Sequence, residues 1–459
     1  MTKHYDAIVI GTGQSGPSLA RRLTEAGRKV AVIERKRFGG TCVNNGCIPT
    51  KTLIASARAA HVAHRAAEFG VVIEGPVRVD MKAVKARKDA IVRVSNEGVE
   101  EGLRENPNVT VHVGHARFVG PKRVEVNREI LQAEEIFINV GGRADIPPIT
   151  GIESVPYLTN SSIMGVDVLP RHLVILGGSY IGLEFGQMYR RFGSEVTIIQ
   201  RNERLIPRED DDVSDAIREI LEDEGIRILT DADSTLVADR DGEIAVTVRV
   251  GDQTMEVVGS HLLVAAGRRP NTDDLGLDAA GVATDERGYI KVDGGLRTNV
   301  PSIFATGDCN GRGAFTHTSY NDFEIVAANL LDSAERRVED RILTYGLFID
   351  PPLGRAGMTE KEVKRSGRKA LVAKMPMEDV GRAYERSETK GFMKIIVDAG
   401  TGQLLGAALL GIEGDEIVQG LLDMMYAKAP YTVIQRAMHI HPTVYEMVPY
   451  MFEDLQPLE

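Results

Sequence analysis

The stretch Ala7–Gly16, AIVIGTGQSG, joins a short apolar, β-branched run to a turn that contains three glycines. The following segment, SLARRLTEAG, is typical of a helix, and the next run, VAVIE, is typical of a strand that ends at Glu34. Strand, glycine-rich turn, helix and strand in this order predict a dinucleotide-binding fold, because the glycines let a pyrophosphate approach the helix N-terminus. The predicted cofactor contacts are Gly11, Gly13 and Gly16, with Glu34 for the ribose hydroxyls.

The same pattern occurs a second time in Leu173–Arg201, LVILGGSYIGLEFGQMYRRFGSEVTIIQR. Gly177, Ser179 and Gly182 take the three glycine positions, and Gly178 follows the first of them. A serine at the middle position fits where the backbone keeps a negative φ, which we therefore expect at Ser179. Two such units predict two dinucleotide sites in one chain.

The end of the second unit indicates whether it suits a dinucleotide with a free ribose 2′-hydroxyl or one with a 2′-phosphate. Gln200 stands where a carboxylate would bond the ribose 2′-hydroxyl of NADH, and Arg201 follows it, with Arg204 and Arg208 close by. Because a cationic cluster suits a 2′-phosphate, the sequence predicts NADPH, with NADH less favoured. The alternative is that these arginines are solvated side chains on a loop.

Two of the three cysteines lie close together in Gly39–Leu53, GGTCVNNGCIPTKTL. Pro49 and an alanine-rich run predict that Cys47 starts a helix, where unpaired N–H groups and the helix dipole lower a thiol pKa. Cys42 lies outside this first turn, beside a predicted turn at 44–46. A thiolate beside a second thiol suits a redox-active disulfide; two structural cysteines or half of a zinc site are the alternatives. No matching Cys/His pair follows, so no resident metal is predicted.

Length and composition narrow the class of protein. The 459 residues exceed what one core organises and predict about three domains. With 43% hydrophobic and 26% charged residues, the chain has a globular composition and no apolar run long enough for a membrane. The net charge of −11 argues against a nucleic-acid partner. We expect a cytoplasmic protein, because the N-terminus lacks an apolar signal region and three cysteines make no secreted disulfide framework.

The C-terminal part contributes a further motif, HPTVYE at His441–Glu446, after a predicted hairpin around Gly400–Gly402 and an amphipathic helix, EIVQGLLDMMYAKA. Together with GGTCVNNGCIPTK and the two dinucleotide units, this motif resembles the class I flavin-dependent pyridine nucleotide–disulfide oxidoreductases. That family includes mercuric reductase, dihydrolipoyl dehydrogenase and glutathione reductase. The resemblance covers essentially the whole chain. It implies an α/β fold with two Rossmann-like dinucleotide-binding domains, for FAD and NAD(P)H, and a C-terminal α+β dimerisation domain.

The resemblance also implies domain boundaries. They are an FAD-binding domain at 1–149 and 271–337, an inserted NAD(P)H-binding domain at 150–270, and a dimerisation domain at 338–459. Leu262–Asn271, LLVAAGRRPN, resembles the return from the nicotinamide domain, and Ile303–Gly311, IFATGDCNG, resembles the second flavin segment. Within that segment Cys309 is predicted to be an inert small residue, because the neighbouring Asp308 disfavours its thiolate.

By motif match, the resemblance implies roles for individual residues. The implied catalytic residues are Cys42, Cys47, Lys51, Glu184, His441 and Glu446. Cys47 would be the thiolate that faces the flavin, and Cys42 the thiol that exchanges with substrate. Lys51 and Glu184 match the ion pair beside the reactive flavin nitrogen, and His441 matches a general base oriented by a carboxylate. Further implied cofactor contacts are Gly40, Thr41, Lys51, Gly267 and Asp308.

The electron acceptor stays open between a small-molecule disulfide, a metal ion such as Hg(II) or Cu(II), and a quinone. The segment IPTK, residues 48–51, is more similar to the corresponding segment of mercuric reductase and dihydrolipoyl dehydrogenase than to that of glutathione reductase. The C-terminus, MVPYMFEDLQPLE, lacks the vicinal cysteines of mercuric reductase, and the Gln200–Arg201 end disfavours the NADH of dihydrolipoyl dehydrogenase. Bacterial hypochlorite-resistance flavoproteins, which are linked to copper, share IPTKTL and HPT. The main interpretation is a mercuric reductase-like enzyme; dihydrolipoyl dehydrogenase or glutathione reductase activity, or a flavoprotein redox sensor, are the alternatives.

The order of the motifs also leads to a hypothesis about the homodimer. The cysteines lie near the start of the chain, and the HPTVYE motif lies near its end, in the part that the family uses for dimerisation. A twofold interface contacts the same patch on both subunits, so each site can use residues of its partner. We therefore expect His441 and Glu446 of one subunit to face Cys42 of the other.

Overall fold

The structure is a computed structural model that describes residues 2–458. Its strands are β1 (Thr2–Ile10), β2 (Val30–Glu34), β3 (Val109–Val113), β4 (Arg117–Gly120), β5 (Arg123–Val126), β6 (Glu129–Ile138), β7 (Gly142–Ala144), β8 (Tyr157–Leu158), β9 (His172–Leu176), β10 (Glu195–Ile199), β11 (Arg227–Leu229), β12 (Ala232–Arg240), β13 (Glu243–Val250), β14 (Gln253–Gly259), β15 (His261–Val264), β16 (Arg268–Pro270), β17 (Ile303–Ala305), β18 (Thr344–Leu347), β19 (Leu353–Gly357), β20 (Ala370–Pro376), β21 (Phe392–Asp398), β22 (Leu404–Leu410) and β23 (Gln456–Pro457).

The helices that were predicted after the first glycine turn and from Cys47 onward are both present. The helices of the described residues are α1 (Ser15–Glu25), α2 (Gly40–Asn44), α3 (Cys47–His64), α4 (Met81–Arg104), α5 (Tyr180–Phe192), α6 (Asp211–Asp223), α7 (Leu277–Ala280), α8 (Thr316–Leu331), α9 (Glu360–Ser366), α10 (Gly381–Glu385), α11 (Gly414–Tyr426), α12 (Thr432–Gln435) and α13 (Val448–Met451). Across residues 2–458, no helix has the length and apolar character needed to cross a membrane.

A seven-stranded sheet carries the first glycine turn. Its order is β3-β2-β1-β6-β5-β4, with β17 paired to the end of β6. Strands β3, β2, β1, β6 and β17 run parallel, and the β4–β5 hairpin extends the sheet antiparallel. Ala7–Ile10 is apolar and buried, as expected for a parallel strand with both faces covered. Since β17 comes from far beyond the second glycine unit, the chain leaves this sheet and later returns to it.

The second glycine turn belongs to a separate sheet of five parallel strands. Its order is β11-β10-β9-β15-β8. An antiparallel layer of three strands, β12-β13-β14, packs on it through a shared core that includes Val174, Ile199, Val246 and Leu262. Strands β9 and β10 are almost entirely buried. The parallel order explains why the loops after β9 and β10, which carry the glycine turn and Gln200, meet at one edge of the sheet.

The C-terminal part forms a six-stranded sheet of order β18-β19-β22-β21-β20-β23 in which every pairing is antiparallel. The predicted hairpin around Gly400–Gly402 is present as β21–β22. Helix α11 packs against β19 and β22 at close range, since a Cβ on Gly354 would lie 2.2 Å from the Gly414 carbonyl oxygen. Two sheets built around parallel strands with helices between them, followed by this antiparallel sheet, confirm the predicted α/β class.

A common hydrophobic core joins the five-stranded and six-stranded sheets to helix α3. One cluster contains Leu53 from α3, Phe185 from α5, Leu347 from β18 and Phe392 from β21. Helices α3 and α5 pack against each other at its centre. The first helix carries the cysteine motif and the second begins at the second glycine turn, so this packing brings the motifs together. The assignment of strands to sheets does not fix the exact residues at which one domain ends and the next begins. The predicted domain boundaries therefore stay predictions.

Candidate active site

A cavity of about 2330 Å³ connects the two glycine turns with the cysteine motif. A drug-sized ligand occupies roughly 300–1,000 Å³, so this space accommodates more than one large ligand. Its wall includes these predicted residues: Gly11, Gly13, Glu34, Gly40, Thr41, Cys42, Cys47, Lys51, Gly177, Gly178, Ser179, Glu184, Arg201, Gly267 and Asp308. The predicted ligand-binding residues from separate parts of the sequence therefore share one space.

Two predicted cofactor contacts, Gly16 and Gly182, are not part of the cavity wall. A Cβ on Gly16 would lie 2.3 Å from the Gly11 carbonyl oxygen, and a Cβ on Gly182 would lie 2.0 Å from the Gly177 carbonyl oxygen. These third glycines thus let the helix pack against its own turn. Both glycines serve the packing of their turns, and their contact with a cofactor stays a prediction.

The first turn is held by Glu34 and by a residue that sequence reasoning missed. Thr12 donates to Oε2 of Glu34 from its backbone N–H at 3.1 Å and from its hydroxyl at 2.6 Å. The buried Asn139, at the end of β6, accepts from the Gly16 N–H at 3.3 Å and donates to the Thr306 carbonyl at 3.0 Å. Asn139 thus ties the glycine turn to the loop after β17. Asn139 lies one residue beyond β6 and belongs to none of the motifs that the sequence analysis identified.

Gln200 in the second unit repeats the role that Glu34 plays in the first. Its side-chain Oε1 accepts from the Gly178 N–H at 3.0 Å, and its Nε2 donates to the Arg204 carbonyl at 3.2 Å. Ser179 has φ −119°, so the backbone is on the negative side, as expected. The serine at the middle glycine position therefore causes no backbone strain.

The arginine cluster is smaller than the sequence indicates. Arg201 and Arg208 line the cavity. Arg204 does not, because its guanidinium pairs with Asp215 and with Asp211 on α6, the latter at 3.5 Å. Arg204 therefore lies outside the cavity wall, and its part in the cluster stays a prediction. Two arginines remain for a 2′-phosphate.

The two neighbouring cysteines lie in different helices. Cys47 is the first residue of α3, as predicted, and Cys42 lies outside that helix, in the short helix α2. The Cys47 pKa is lowered to about 6, first by a hydrogen bond from the Cys42 thiol and next by one from Thr316, whose Oγ1 lies 2.9 Å from Sγ. The charge of Lys51 acts in the same direction, while burial opposes it.

The Cys42 pKa is raised by the same thiol–thiol hydrogen bond and by burial. The two thiols are therefore unequal, as the sequence predicts. The largest cause is the partner thiol and not the helix N-terminus. Cys309 differs from both: it is fully buried, and burial raises its pKa to about 12. Burial, more than the neighbouring Asp308, is what makes Cys309 inert.

Lys51 lies one turn after Cys47 on the same helix face and carries an ion pair between α3 and α5. Its Nζ is 2.6 Å from Oε2 of Glu184, whose Oε1 accepts from the Phe348 N–H at 3.0 Å. The Phe348 ring lies beneath the ammonium, with Nζ 4.1 Å from the ring centroid. Phe348 lines the cavity as well. No sequence motif pointed to it.

Asp308 reaches the cavity from the 3₁₀ turn Gly307–Asn310 that follows β17. Oδ2 of Asp308 accepts from Nη2 of Arg268 at 3.2 Å. Both side chains are partly exposed. The turn therefore places a carboxylate, paired with an arginine, on the cavity wall, where the sequence predicts a cofactor contact.

His441 and Glu446 form a pair that lies apart from this cavity. The ring Nδ1 of His441 is 3.0 Å from both carboxylate oxygens of Glu446, which also accepts from the Thr443 N–H at 3.3 Å. The His441 side chain is 82% exposed, and neither residue is part of the cavity wall. Met438 is fully exposed and Ile440 is 79% exposed beside them. Within one chain, the predicted base and the predicted thiol pair are separate.

Comparison with known families gives two matches. The model of the pyridine nucleotide-disulphide oxidoreductases matches residues 5–322. The model of the dimerisation domain of the same family matches residues 344–452.

Individual proteins are similar over nearly the whole chain. The chain is 36% identical to the probable pyridine nucleotide-disulfide oxidoreductase RclA of Escherichia coli, over 98% of each chain. It is 35% identical to a mercuric reductase of Streptomyces lividans, over 96% of this chain and 94% of the relative. It is 32% identical to a dihydrolipoyl dehydrogenase of Thermus scotoductus, over 97% and 96%. The structure of the Cu(II) complex of the HOCl-induced flavoprotein disulfide reductase RclA from E. coli has a TM-score of 0.89, at 35% identity and 97% and 99% coverage.

Proposed function

The chain belongs to the pyridine nucleotide-disulphide oxidoreductase family, and from this premise we propose that it uses NADPH to reduce a disulfide or a metal ion at Cys42 and Cys47. Family membership makes the protein an oxidoreductase with FAD as its flavin and a pyridine nucleotide as electron donor. The predicted fold of two dinucleotide-binding units and a dimerisation domain is confirmed, and the dimerisation domain supports a homodimer.

The residues of the cavity fit FAD. The backbone of the first glycine turn lines the cavity, and its glycines carry no side chains that would block it. Polar groups along the same wall come from Glu34, Lys51 and Asp308. We propose that these residues hold the cofactor with Gly11, Gly13, Gly40 and Thr41. When bound, FAD supplies a two-electron relay between a pyridine nucleotide and a disulfide.

The single observation that carries the proposal is that the Cys47 thiol, the Lys51 ammonium and both glycine turns line one cavity. At neutral pH Cys47 is a thiolate, stabilised by Cys42, Thr316 and Lys51. Cys42 keeps its proton and is the thiol available for exchange with an acceptor. A base is needed to take that proton as Cys42 attacks, and we propose His441 of the other subunit, oriented by Glu446.

NADPH is the proposed electron donor. Support comes from Arg201 and Arg208 on the cavity wall and from Gln200, which offers no carboxylate for a 2′-hydroxyl. The second glycine turn, Gly177–Ser179, would hold the pyrophosphate of this cofactor. Comparing kcat/KM for NADPH and NADH with one acceptor tests this proposal; equal values would contradict it.

A metal ion is the first candidate acceptor. Among the relatives are mercuric reductases, and the RclA structures include a Cu(II) complex. Thiolates bind soft metal ions, so a pair of unequal thiols suits Hg(II) or copper. A disulfide is the second candidate, which the His441–Glu446 pair favours because thiol exchange needs a base.

An assay with purified, FAD-loaded protein separates these candidates. NADPH oxidation would be followed with Hg(II), Cu(II), lipoamide and oxidised glutathione, and Cys42→Ser would serve as the matched control. We expect at least one metal ion or disulfide to be reduced far above the rate of the control. If no acceptor exceeds that background, the reductase proposal fails and the redox-sensor alternative gains.

Three finer statements are also proposals. We propose the division into 1–149 with 271–337, 150–270 and 338–459, which is supported by the change of sheet near each boundary. A cytoplasmic location and the lack of a nucleic-acid partner rest on the sequence features described above. Limited proteolysis, which cuts exposed linkers first, tests the division.

A further inference from the structure

The Lys51 ammonium makes two contacts that involve Phe348, one with its ring directly and one through Glu184. The ring of Phe348 lies under Nζ, with the centroid 4.1 Å away. The other contact is the carboxylate of Glu184, at 2.6 Å, and the second oxygen of that carboxylate accepts from the backbone N–H of Phe348 at 3.0 Å. Each of these three residues therefore contacts the other two: Lys51 of α3, Glu184 of α5 and Phe348 of the segment after β18.

Phe348 belongs to a segment that is firmly anchored to both helices. Leu347, immediately before it, is fully buried in the core that also contains Leu53 of α3. Asp350, two residues later, pairs with Arg58 of α3 and Arg191 of α5 and donates its N–H to Gln187 at 2.7 Å. The ring of Phe348 is therefore presented by a rigid backbone and not by a mobile loop.

A lysine side chain needs such contacts to hold a fixed position. Its four-carbon stem is flexible, and Lys51 is one-third exposed to the cavity, so the ammonium would otherwise sample several positions. An aromatic face attracts a cation, and a carboxylate opposite restricts it further. The direction of the ammonium matters because its charge favours the thiolate form of Cys47, one helical turn away.

We propose that Phe348 is a positioning residue: its ring and its N–H hold the Lys51 ammonium against Glu184, directed towards Cys47. This inference rests on the proposed function, in which Cys47 works as a thiolate. It also means that docking of the C-terminal sheet onto α3 and α5 sets the charge beside the thiol pair.

The rate at which iodoacetamide alkylates Cys47 in the reduced holoprotein, measured against pH by mass spectrometry, tests the proposal. Thiolate alone reacts, so the midpoint of the rate reports its fraction. In Phe348→Leu the backbone N–H remains and the ring is lost. We expect the midpoint to rise by about half a pH unit or more, which slows alkylation at pH 6 at least roughly twofold. Phe348→Tyr keeps the ring and should restore the wild-type midpoint.

Two further variants separate positioning from a general structural effect. Phe392→Leu removes a ring from under Lys374, whose Nζ is 3.7 Å from its centroid, and should leave the midpoint unchanged. Lys51→Met should raise the midpoint, and adding Phe348→Leu to it should raise the midpoint no further, because the ring acts through Lys51.

The inference is overturned if Phe348→Leu leaves the midpoint at the wild-type value, or shifts it equally with and without Lys51. An unchanged midpoint in Lys51→Met overturns it as well. In each case a wild-type midpoint near pH 6 leaves the proposed function standing. A wild-type midpoint at the ordinary value of a free thiol overturns the proposed role of Cys47 and this inference together.

Discussion

The charge state of Cys47 depends on side chains from three parts of the chain. The sequence predicts the direction of the pKa shift, since a thiol at a helix start is favoured as thiolate. It does not predict the causes, because the hydrogen bonds come from Cys42 and from Thr316, the first residue of α8. Thr316 lies 269 positions away and belongs to no recognised motif. Such a contact becomes visible only when the fold is known.

Thr316→Val is expected to raise the Cys47 pKa above about 6, because the hydroxyl that donates to the thiolate is lost. A hydrogen bond to a charged group contributes about 1.5–3 kcal/mol. That corresponds to a rise of about one to two pKa units at most. The thiolate-to-flavin charge-transfer absorbance of the reduced holoprotein, titrated against pH, measures it: the absorbance disappears below the pKa. Thr316→Ser retains the hydroxyl and should titrate as the wild type; a shift equal to that of valine would contradict the explanation.

At the scale of the structural elements, the two strand–turn–helix units were predictable because a short, local sequence pattern specifies each one. The structure adds that Glu34 and Gln200 both hold their own glycine turn by accepting a backbone N–H. It also distinguishes two arginines after β10: Arg204 pairs with Asp215 of α6, whereas Arg201 lines the cavity. Spacing alone cannot distinguish these two, because both lie on the same short loop.

Arg201→Glu is expected to reverse the cofactor preference of the second unit. A carboxylate repels the 2′-phosphate of NADPH and accepts from the 2′-hydroxyl of NADH, so kcat/KM with NADPH should fall about tenfold or more, equivalent to about 1.4 kcal/mol. Steady-state kinetics with both cofactors give the ratio. Arg204→Gln is the matched control, since its guanidinium is engaged by Asp215, and it should leave the ratio unchanged. If both variants lose the preference for NADPH, the total positive charge of the loop would set it, and not a specific contact of Arg201.

At the scale of the whole molecule, buried ion pairs join parts that the sequence pattern treats as separate. Arg355 of β19 pairs with Glu209, and both side chains are almost fully buried. Lys394 of β21 contacts Asp210, Asp212 and Glu360, the last two at 2.8 and 2.6 Å. Local periodicity predicts sheets and helices, but it carries no information about which charged residues of distant elements meet. The same reason explains why the contacts of Phe348 with Lys51 and Glu184 could not be predicted.

Arg355→Met is expected to lower the stability of the protein by about 3–5 kcal/mol, because it leaves the buried Glu209 carboxylate without its partner. The change would be measured by urea denaturation of the holoprotein. Replacing both partners, Arg355→Met with Glu209→Gln, should recover much of the loss, since no uncompensated charge remains. Lys390→Met, in an exposed pair with Asp223, is the control and should have little effect. Equal losses at both sites would contradict the role of burial.

The position of His441 bears on how two chains assemble into a working site. Within one chain the His441–Glu446 pair lies on an exposed surface with Met438 and Ile440, outside the cavity that contains the cysteines. Exposed apolar side chains beside an ordered pair are typical of an interface. The dimerisation-domain match includes all four residues. A twofold dimer can bring this surface to the partner's Cys42 without any change of fold.

Mixed dimers of two inactive variants test this arrangement. Cys47→Ser and His441→Ala homodimers should each be nearly inactive with a disulfide substrate. If the base acts across the interface, a mixed dimer contains one site with both substitutions and one site with neither. Random reassociation of equal amounts makes about half of the dimers mixed, so roughly a quarter of the wild-type activity should return. Subunit exchange would be verified by native mass spectrometry. Activity that stays at the parental background after verified exchange would show that each chain supplies its own base, which contradicts the shared site.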